Sequence, residues 1–215
     1  MQLWTVWLDS LRYLLEMLAS DLGLGTGLAI VVLTLALRFA LLPISWSSAY
    51  KACVRQKKLK SLQPELARLK ERFGDRPQDL AERTIGLYRK NNMRIVDAGP
   101  IVGSLIQLPV LLGMFNVLRQ GWQNVRFLWV ASLARPDFWF ALAAAATTAL
   151  MMFANPDLPE QARMLMILVP SVLALVFALK FASALALYWT ASNCFTAVQT
   201  FAVHRFVDRR LPSSE

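Results

Sequence analysis

The pattern of apolar and polar positions changes character several times along the chain. From Met1 to Leu18, Trp4, Trp7, Leu8, Leu11, Leu14, Leu15 and Leu18 recur at helical spacing, with Asp9, Arg12 and Glu16 between them. That spacing predicts an amphipathic helix too polar to span a bilayer and suited to lie in its interface, anchored by tryptophan. Residues 1–20 are expected to form this interfacial element and residues 21–215 the core. Gly23–Ser45 is then 23 residues long with Arg38 as its only charge. At 1.5 Å per residue it reaches about 34 Å, enough to cross the hydrocarbon layer, and Pro43 marks its exit.

Residues 48–97 read differently, as a polar and strongly basic insert. Leu59, Leu62, Leu66, Leu69 and Phe73 form one helical stripe. Gly74-Asp75-Arg76-Pro77 is a turn signal, and Leu80, Leu87 and Tyr88 make a second, shorter stripe. An antiparallel helical hairpin is expected here, with Leu62, Leu66 and Leu69 against the Leu80–Tyr88 helix. Four further apolar stretches follow. Ala98–Leu118 carries Pro100, Gln107 and Pro109; a loop rich in interfacial aromatics (Trp122, Phe127, Trp129) leads to Phe138–Phe153. After the polar Asn155–Pro159 loop, Met164–Val203 runs for 40 residues broken only by Lys180. About 60 Å of helix is two bilayer thicknesses, so Met164–Leu179 and Phe181–Val203 are two spans. The fold class predicted is an all-α membrane protein with five transmembrane helices, a preceding interfacial helix and a helical hairpin between helices one and two.

Charge sets the orientation. The chain has a net charge of +9 and mean hydropathy +0.44, with charged residues at 17%. In a soluble protein such basicity suggests nucleic acid; here 13 of the 23 Lys and Arg lie in residues 48–97, and Arg163, Arg205, Arg209 and Arg210 fall on the same predicted side. The positive-inside rule then puts the hairpin and C-terminus in the cytoplasm and the N-terminus outside. The N-terminus shows no basic stretch followed by a small-residue cleavage site, so no cleaved signal peptide is expected.

Arg38 is the sharpest single feature. A charge within a span costs roughly 2.5–3.5 kcal/mol on insertion scales and faces protein or water. Its side chain leans toward the helix N-terminus, away from the nearer interface, and no acid lies in another predicted span to pair with it. A polar cavity is the expected surrounding, with snorkelling as the alternative. Thr34, Arg38 and Ser45 share a face of the first helix, and Trp189, Asn193, Thr196 and Thr200 share one on the fifth, with Gln199 beside them. Ser104 and Gln107 sit together on the second. Each of these polar residues can equally serve helix–helix hydrogen bonding. Catalysis finds no footing: the single histidine, His204, lies at a span end, Cys53 and Cys194 fall at different predicted depths, and neither a phosphate loop nor a metal cluster is present. No enzyme activity and no cofactor or metal are expected.

These pieces resemble, in order, the YidC/Oxa/Alb membrane-protein insertases. Thr34-Leu35-Ala36-Leu37-Arg38-Phe39-Ala40-Leu41-Leu42-Pro43 is similar to that family's first core helix with its groove arginine. Gln63-Pro64-Glu65-Leu66 and Leu87-Tyr88-Arg89-Lys90 resemble the cytoplasmic hairpin, and Ile106-Gln107-Leu108-Pro109-Val110 the second core helix. Phe127-Leu128-Trp129 with Pro136-Asp137 resembles the external loop, and Leu187-Tyr188-Trp189, Ser192-Asn193 and Gln199 the last helix. The chain departs from the pattern in reading Ile95-Val96-Asp97 where Asn-Pro is usual after the hairpin, and in ending soon after Arg210 instead of in a long basic tail. The resemblance implies an insertase and chaperone of the bacterial cytoplasmic (inner) membrane that uses a positively charged hydrophilic groove. Its substrate groove would comprise Arg38, Thr34, Gln107, Tyr188, Trp189, Asn193, Thr196 and Gln199. Implied partners are nascent membrane proteins, membrane lipids, and the Sec translocon or ribosome, with no specific nucleic acid. A small multispanning channel or transporter is the alternative reading.

Overall fold

The computed structural model describes residues 2–93, 99–119, 125–156, 158 and 162–210; of 99–104 and 106 it describes the backbone only. Eight α-helices occupy the described residues: α1 (Gln2–Glu16), α2 (Gly25–Ala40), α3 (Leu42–Phe73), α4 (Pro77–Lys90), α5 (Gly99–Arg119), α6 (Phe138–Phe153), α7 (Arg163–Ala178) and α8 (Ser183–Arg210). A π turn, Met17–Asp21, prolongs α1. The calls on Ser104, Trp122 and Asp97 lie outside the described side chains.

The first apolar stretch is not one straight helix. α2 stops at Ala40, and α3 restarts at Leu42 bent by 63° from it. Pro43 explains the break: it has no N–H for the carbonyl of Phe39, and its ring crowds the preceding turn. The expectation of a continuous Gly23–Ser45 span is corrected to a shorter helix followed by a sharply tilted one. Among the described residues no single helix is long and apolar enough to cross a membrane; α2 and α3 pass that test only as a bent pair, and the apolar α6 and α7 have 16 residues each, or about 24 Å.

α6 has the bounds read from the sequence. Asp137 caps it by accepting the Phe140 N–H at 3.0 Å. α7 begins one residue early, whereas α8 runs two turns past the expected Val203. Beyond that point Val203 and Val207 remain buried with Cys53 in a small cluster between α8 and α3. Trp46 and Tyr50 of α3 pack on Phe206 there, and Lys57 pairs with Asp208 at 2.6 Å. The polar-looking extension is therefore held by packing.

The main core joins α1, α2, α5, α6 and α8 around Leu11, Leu15, Ile30, Met114, Leu118 and Ala144. α1 lies against α5 so closely that a Cβ on Gly113 would meet Trp7 Nε1 at 2.6 Å and Leu11 Cδ1 at 2.7 Å. Trp7 Nε1 in turn donates to the Pro109 carbonyl at 3.1 Å. At the other end of α2, the Phe127 ring occupies the space a Gly27 side chain would need. Phe127 and Trp129 stack on Phe140, which fixes the loop between α5 and α6 over the bundle end. That loop also starts α8: the Ser183 N–H donates to Arg135 O at 3.0 Å and the Ala184 N–H to Leu133 O at 3.1 Å, satisfying amides that have no intrahelical partner.

α3 and α4 meet across the Gly74–Arg76 turn. Leu62 is buried, Leu66 and Leu69 half-buried, and Leu69 and Phe73 share one cleft with Gly86 and Leu87. The Arg83 guanidinium covers the Phe73 ring at 4.3 Å, a cation–π contact that shields this short apolar seam.

Candidate functional site

Arg38 sits in the last turn of α2, and its partners come from two other helices. Its Nε donates to Ser192 Oγ at 2.9 Å, and Nη2 donates to the same oxygen. Nη1 donates to Gln107 Oε1 at 3.4 Å. Among the described residues its hydrogen-bond partners are therefore neutral oxygens of α8 and α5. Neutral acceptors stabilise a guanidinium without cancelling its charge, so the field survives into whatever space adjoins it.

That space is a cavity of about 460 Å³ between α2, α5, α7 and α8. Arg38, Gln107, Tyr188, Ser192 and Asn193 gather at one part of its lining; Leu111, Leu112, Phe115, Phe177, Leu185 and Trp189 supply the rest. It is a cationic pole at the end of an apolar chamber. Leu111 and Leu112 come from α5 and Phe177 from α7. Phe181, in the α7–α8 turn, contacts Phe115 at 5.6 Å and Phe177 at 4.4 Å between centroids, and Phe177 contacts Trp189 at 6.1 Å. These ring contacts tie the α7–α8 turn to α5 and α8 beside the chamber.

Five of the eight residues expected in the groove line this cavity: Arg38, Gln107, Tyr188, Trp189 and Asn193. The other three lie elsewhere. Thr34 is buried and its hydroxyl donates to Ile30 O at 2.6 Å within α2. Thr196 donates to Ser192 O at 2.9 Å. Gln199 Nε2 donates to Ser45 Oγ at 3.2 Å, tying α8 to α3 one side of the cavity. Asn193 has a second task, donating from Nδ2 to Thr148 Oγ1 of α6 at 2.8 Å.

The expected groove set left out Ser192, named only within the resemblance of the last helix, although it takes two of the arginine's donors. A helical serine ordinarily bonds its own backbone; the available signal was its adjacency to Asn193 and its place four residues past Tyr188. Also missed was Cys53 Sγ lying 3.2 Å from His204 Nδ1, a contact between α3 and α8 across 151 residues. Asn155, Met166 and Thr200 line a second cavity beside that pair.

Ser192→Ala removes the acceptor of Arg38 Nε and Nη2 and leaves part of a half-buried guanidinium unsatisfied. A hydrogen bond to a charged group contributes about 1.5–3 kcal/mol. The thermal midpoint in detergent is expected to fall by several degrees, and Ser192→Thr, which keeps the oxygen, to fall less. Equal midpoints for Ala and wild type would show the contact to be dispensable.

Comparison with known proteins adds to this geometry. The family described as 60Kd inner membrane protein matches residues 17–210. Membrane protein insertase MisCA of Bacillus subtilis (strain 168) is 30% identical over 208 residues, covering 90% of this chain and 76% of that protein. Membrane protein insertase YidC 2 of Bacillus anthracis is 32% identical over 207 residues, with 90% and 77% covered. Membrane protein insertase YidC of Pseudomonas entomophila (strain L48) is 29% identical over 201 residues, which are 91% of this chain and 35% of that longer protein.

Proposed function

We propose, from the premise that this chain belongs to the 60Kd inner membrane protein family of YidC/Oxa insertases, that it helps hydrophobic segments of newly made proteins enter and fold in the lipid bilayer. The observation that carries the reading is Arg38, held by neutral partners at one pole of a largely apolar cavity. A substrate's short hydrophilic segment, especially an acidic one, partitions to the arginine and so shortens its path through hydrocarbon. The hydrophobic segment that follows lies along Leu111, Leu112, Phe115 and Phe177 and passes into lipid between α5 and α7. Burial of apolar substrate surface drives the transfer, and no nucleotide is needed.

In this reading α2 with the start of α3, α5, α6, α7 and α8 are the five membrane elements. α1 lies in the outer interface, while the α3–α4 hairpin and the C-terminus are cytoplasmic. The short, apolar α6 and α7 fit a locally thinned bilayer, and the many exposed apolar residues of α7, Leu165, Leu168, Val172 and Leu173 among them, fit contact with lipid. Nascent membrane proteins and lipids are the partners, with the Sec translocon or ribosome as further ones. The chain acts without catalysing a covalent step. Insertion of a short-tailed, single-span protein into liposomes containing only this protein tests the function. Ion flux through such liposomes without insertion would favour a channel or transporter instead.

The topology has its own test. In a chain with Cys53 and Cys194 replaced by Ala, a cysteine at the exposed Leu128 should react with an impermeant maleimide on intact cells, and one at Asp75 only after permeabilisation. Reaction of both from the same side would overturn the orientation.

A further inference from the structure

Outside the Arg38 cavity, the strongest unassigned feature is a cleft between α3 and the end of α4. Lys51, Arg55 and Lys58 stand at i, i+4 and i+7 of α3 and so share one face. With Tyr50, Val54, Asn92 and Met93 they line a cavity of about 300 Å³. Asn92 adopts a left-handed backbone, φ 51°, as the chain turns out of α4. The Met93 N–H donates to Tyr88 O at 2.8 Å, and the Met93 side chain is buried. The cleft thus has three cations on its wall, a floor of Tyr50, Val54 and Met93, and, among the described residues, no carboxylate in its lining.

Lys57 pairs with Asp208, and Lys60 Nζ donates to Pro156 O at 3.2 Å. Those contacts fasten α3 to the rest of the protein, and Lys51, Arg55 and Lys58 line the cleft. Trp46 and Tyr50, aromatic residues of the type that settles at the membrane interface, precede these cations on α3. The cations begin beside Tyr50 and extend two turns along the helix, about 10 Å from first to last. They also stand beside Asn92 and Met93, just past the end of α4.

We infer that this cleft binds the phosphodiester headgroup of an anionic phospholipid, with Lys51, Arg55 and Lys58 as its cationic contacts and the floor residues against the glycerol and first acyl carbons. The ligand is a resident lipid and not a substrate in transit. The inference rests on the membrane placement of α3 in the proposed function, but it is read by lipid retention, which needs no insertion activity.

The full chain is extracted from mixed phosphatidylcholine and phosphatidylglycerol vesicles, and retained lipid is measured by native mass spectrometry across a series of phosphatidylglycerol fractions. Lys51→Gln/Arg55→Gln/Lys58→Gln is expected to weaken phosphatidylglycerol retention about a hundredfold, at roughly fivefold per basic side chain near the surface. Arg68→Gln/Lys70→Gln/Arg76→Gln removes the same charge at the far end of α3 and in the turn that follows it, and should change retention by less than about threefold if recognition is local. Lys51→Gln/Lys58→Gln, which alters two exposed positions only, serves if the triple variant does not fold, with about a twentyfold loss expected. Equal losses in the near and far variants mean diffuse attraction and overturn the site. Displacement of the lipid by soluble glycerol phosphate overturns the lipid assignment in favour of a free-anion site. A chain that retains phosphatidylglycerol through this face yet inserts no substrate would reject the proposed function and leave the lipid site standing.

Discussion

Arg38→Ala is expected to lower insertion of an acidic-tailed substrate about tenfold and of its neutralised counterpart less than about twofold. The estimate follows from electrostatics in a partly buried site. Two unit charges about 4 Å apart attract by about 4 kcal/mol at an effective dielectric of 20, and desolvation of the carboxylate removes much of that, leaving one to two kcal/mol or about a factor of ten. Arg38→Lys keeps the charge but cannot reach Ser192 and Gln107 as a fork, so insertion within about threefold of wild type is expected if the field is what matters. Purified variants in liposomes, supplied with the matched pair of substrates, give the measurement. Equal insertion by wild type and Arg38→Ala across the pair would falsify the role assigned to the charge.

The second large effect is structural. Gly113→Leu should lower the thermal midpoint by roughly 5–10 °C and make α1 sensitive to protease. A side chain at this position runs into Trp7 and Leu11, the residues by which α1 seats on α5. Overpacking of a filled site costs about 1–3 kcal/mol, and a chain of this length loses about 2–4 °C per kcal/mol. Moving the indole aside also breaks its bond to Pro109 O. Gly113→Ala should lie between the two, since its Cβ displaces only side-chain ends. An unchanged midpoint and an intact α1 in Gly113→Leu would show that the helix is not anchored there.

Much of this architecture could be read directly from the residues. α6 was legible at both ends because Asp137 caps its start and Asn155-Pro156 stops its apolar run. The division between α7 and α8 was legible from Lys180, the one charge in 40 residues. The break after Ala40 was not, because a proline at a span exit and a proline inside a bent continuation look alike in one dimension. The end of α8 was missed for a different reason: His204, Arg205 and Asp208 dilute the apolar signal, although Val203 and Val207, four apart, are the buried positions. At the site, Arg38 announced itself by cost alone. Helical spacing correctly put Trp189 and Asn193 on a common face. It also put Thr34 near Arg38, because periodicity assigns a face without saying which neighbour covers it; Thr34 turns to the core and Ser192 to the arginine.

The break at Pro43 also has a mechanical side. Pro43 offers no amide to the preceding turn, so the joint has one hydrogen bond fewer than a continuous helix; Leu41 links the two sides, its N–H donating to Leu37 O at 3.1 Å and its carbonyl accepting from the Ser45 N–H at 3.0 Å. A pull on the distal end of α3 turns that joint before it tilts α2. That helix is strapped farther along, however, by Lys57 to Asp208, Cys53 to His204 and the Trp46 and Tyr50 rings on Phe206. Load on the arm therefore enters α8, the helix that carries Ser192, directly as well as through the joint, so strain applied far from the chamber bears on the arginine's own hydrogen bonds.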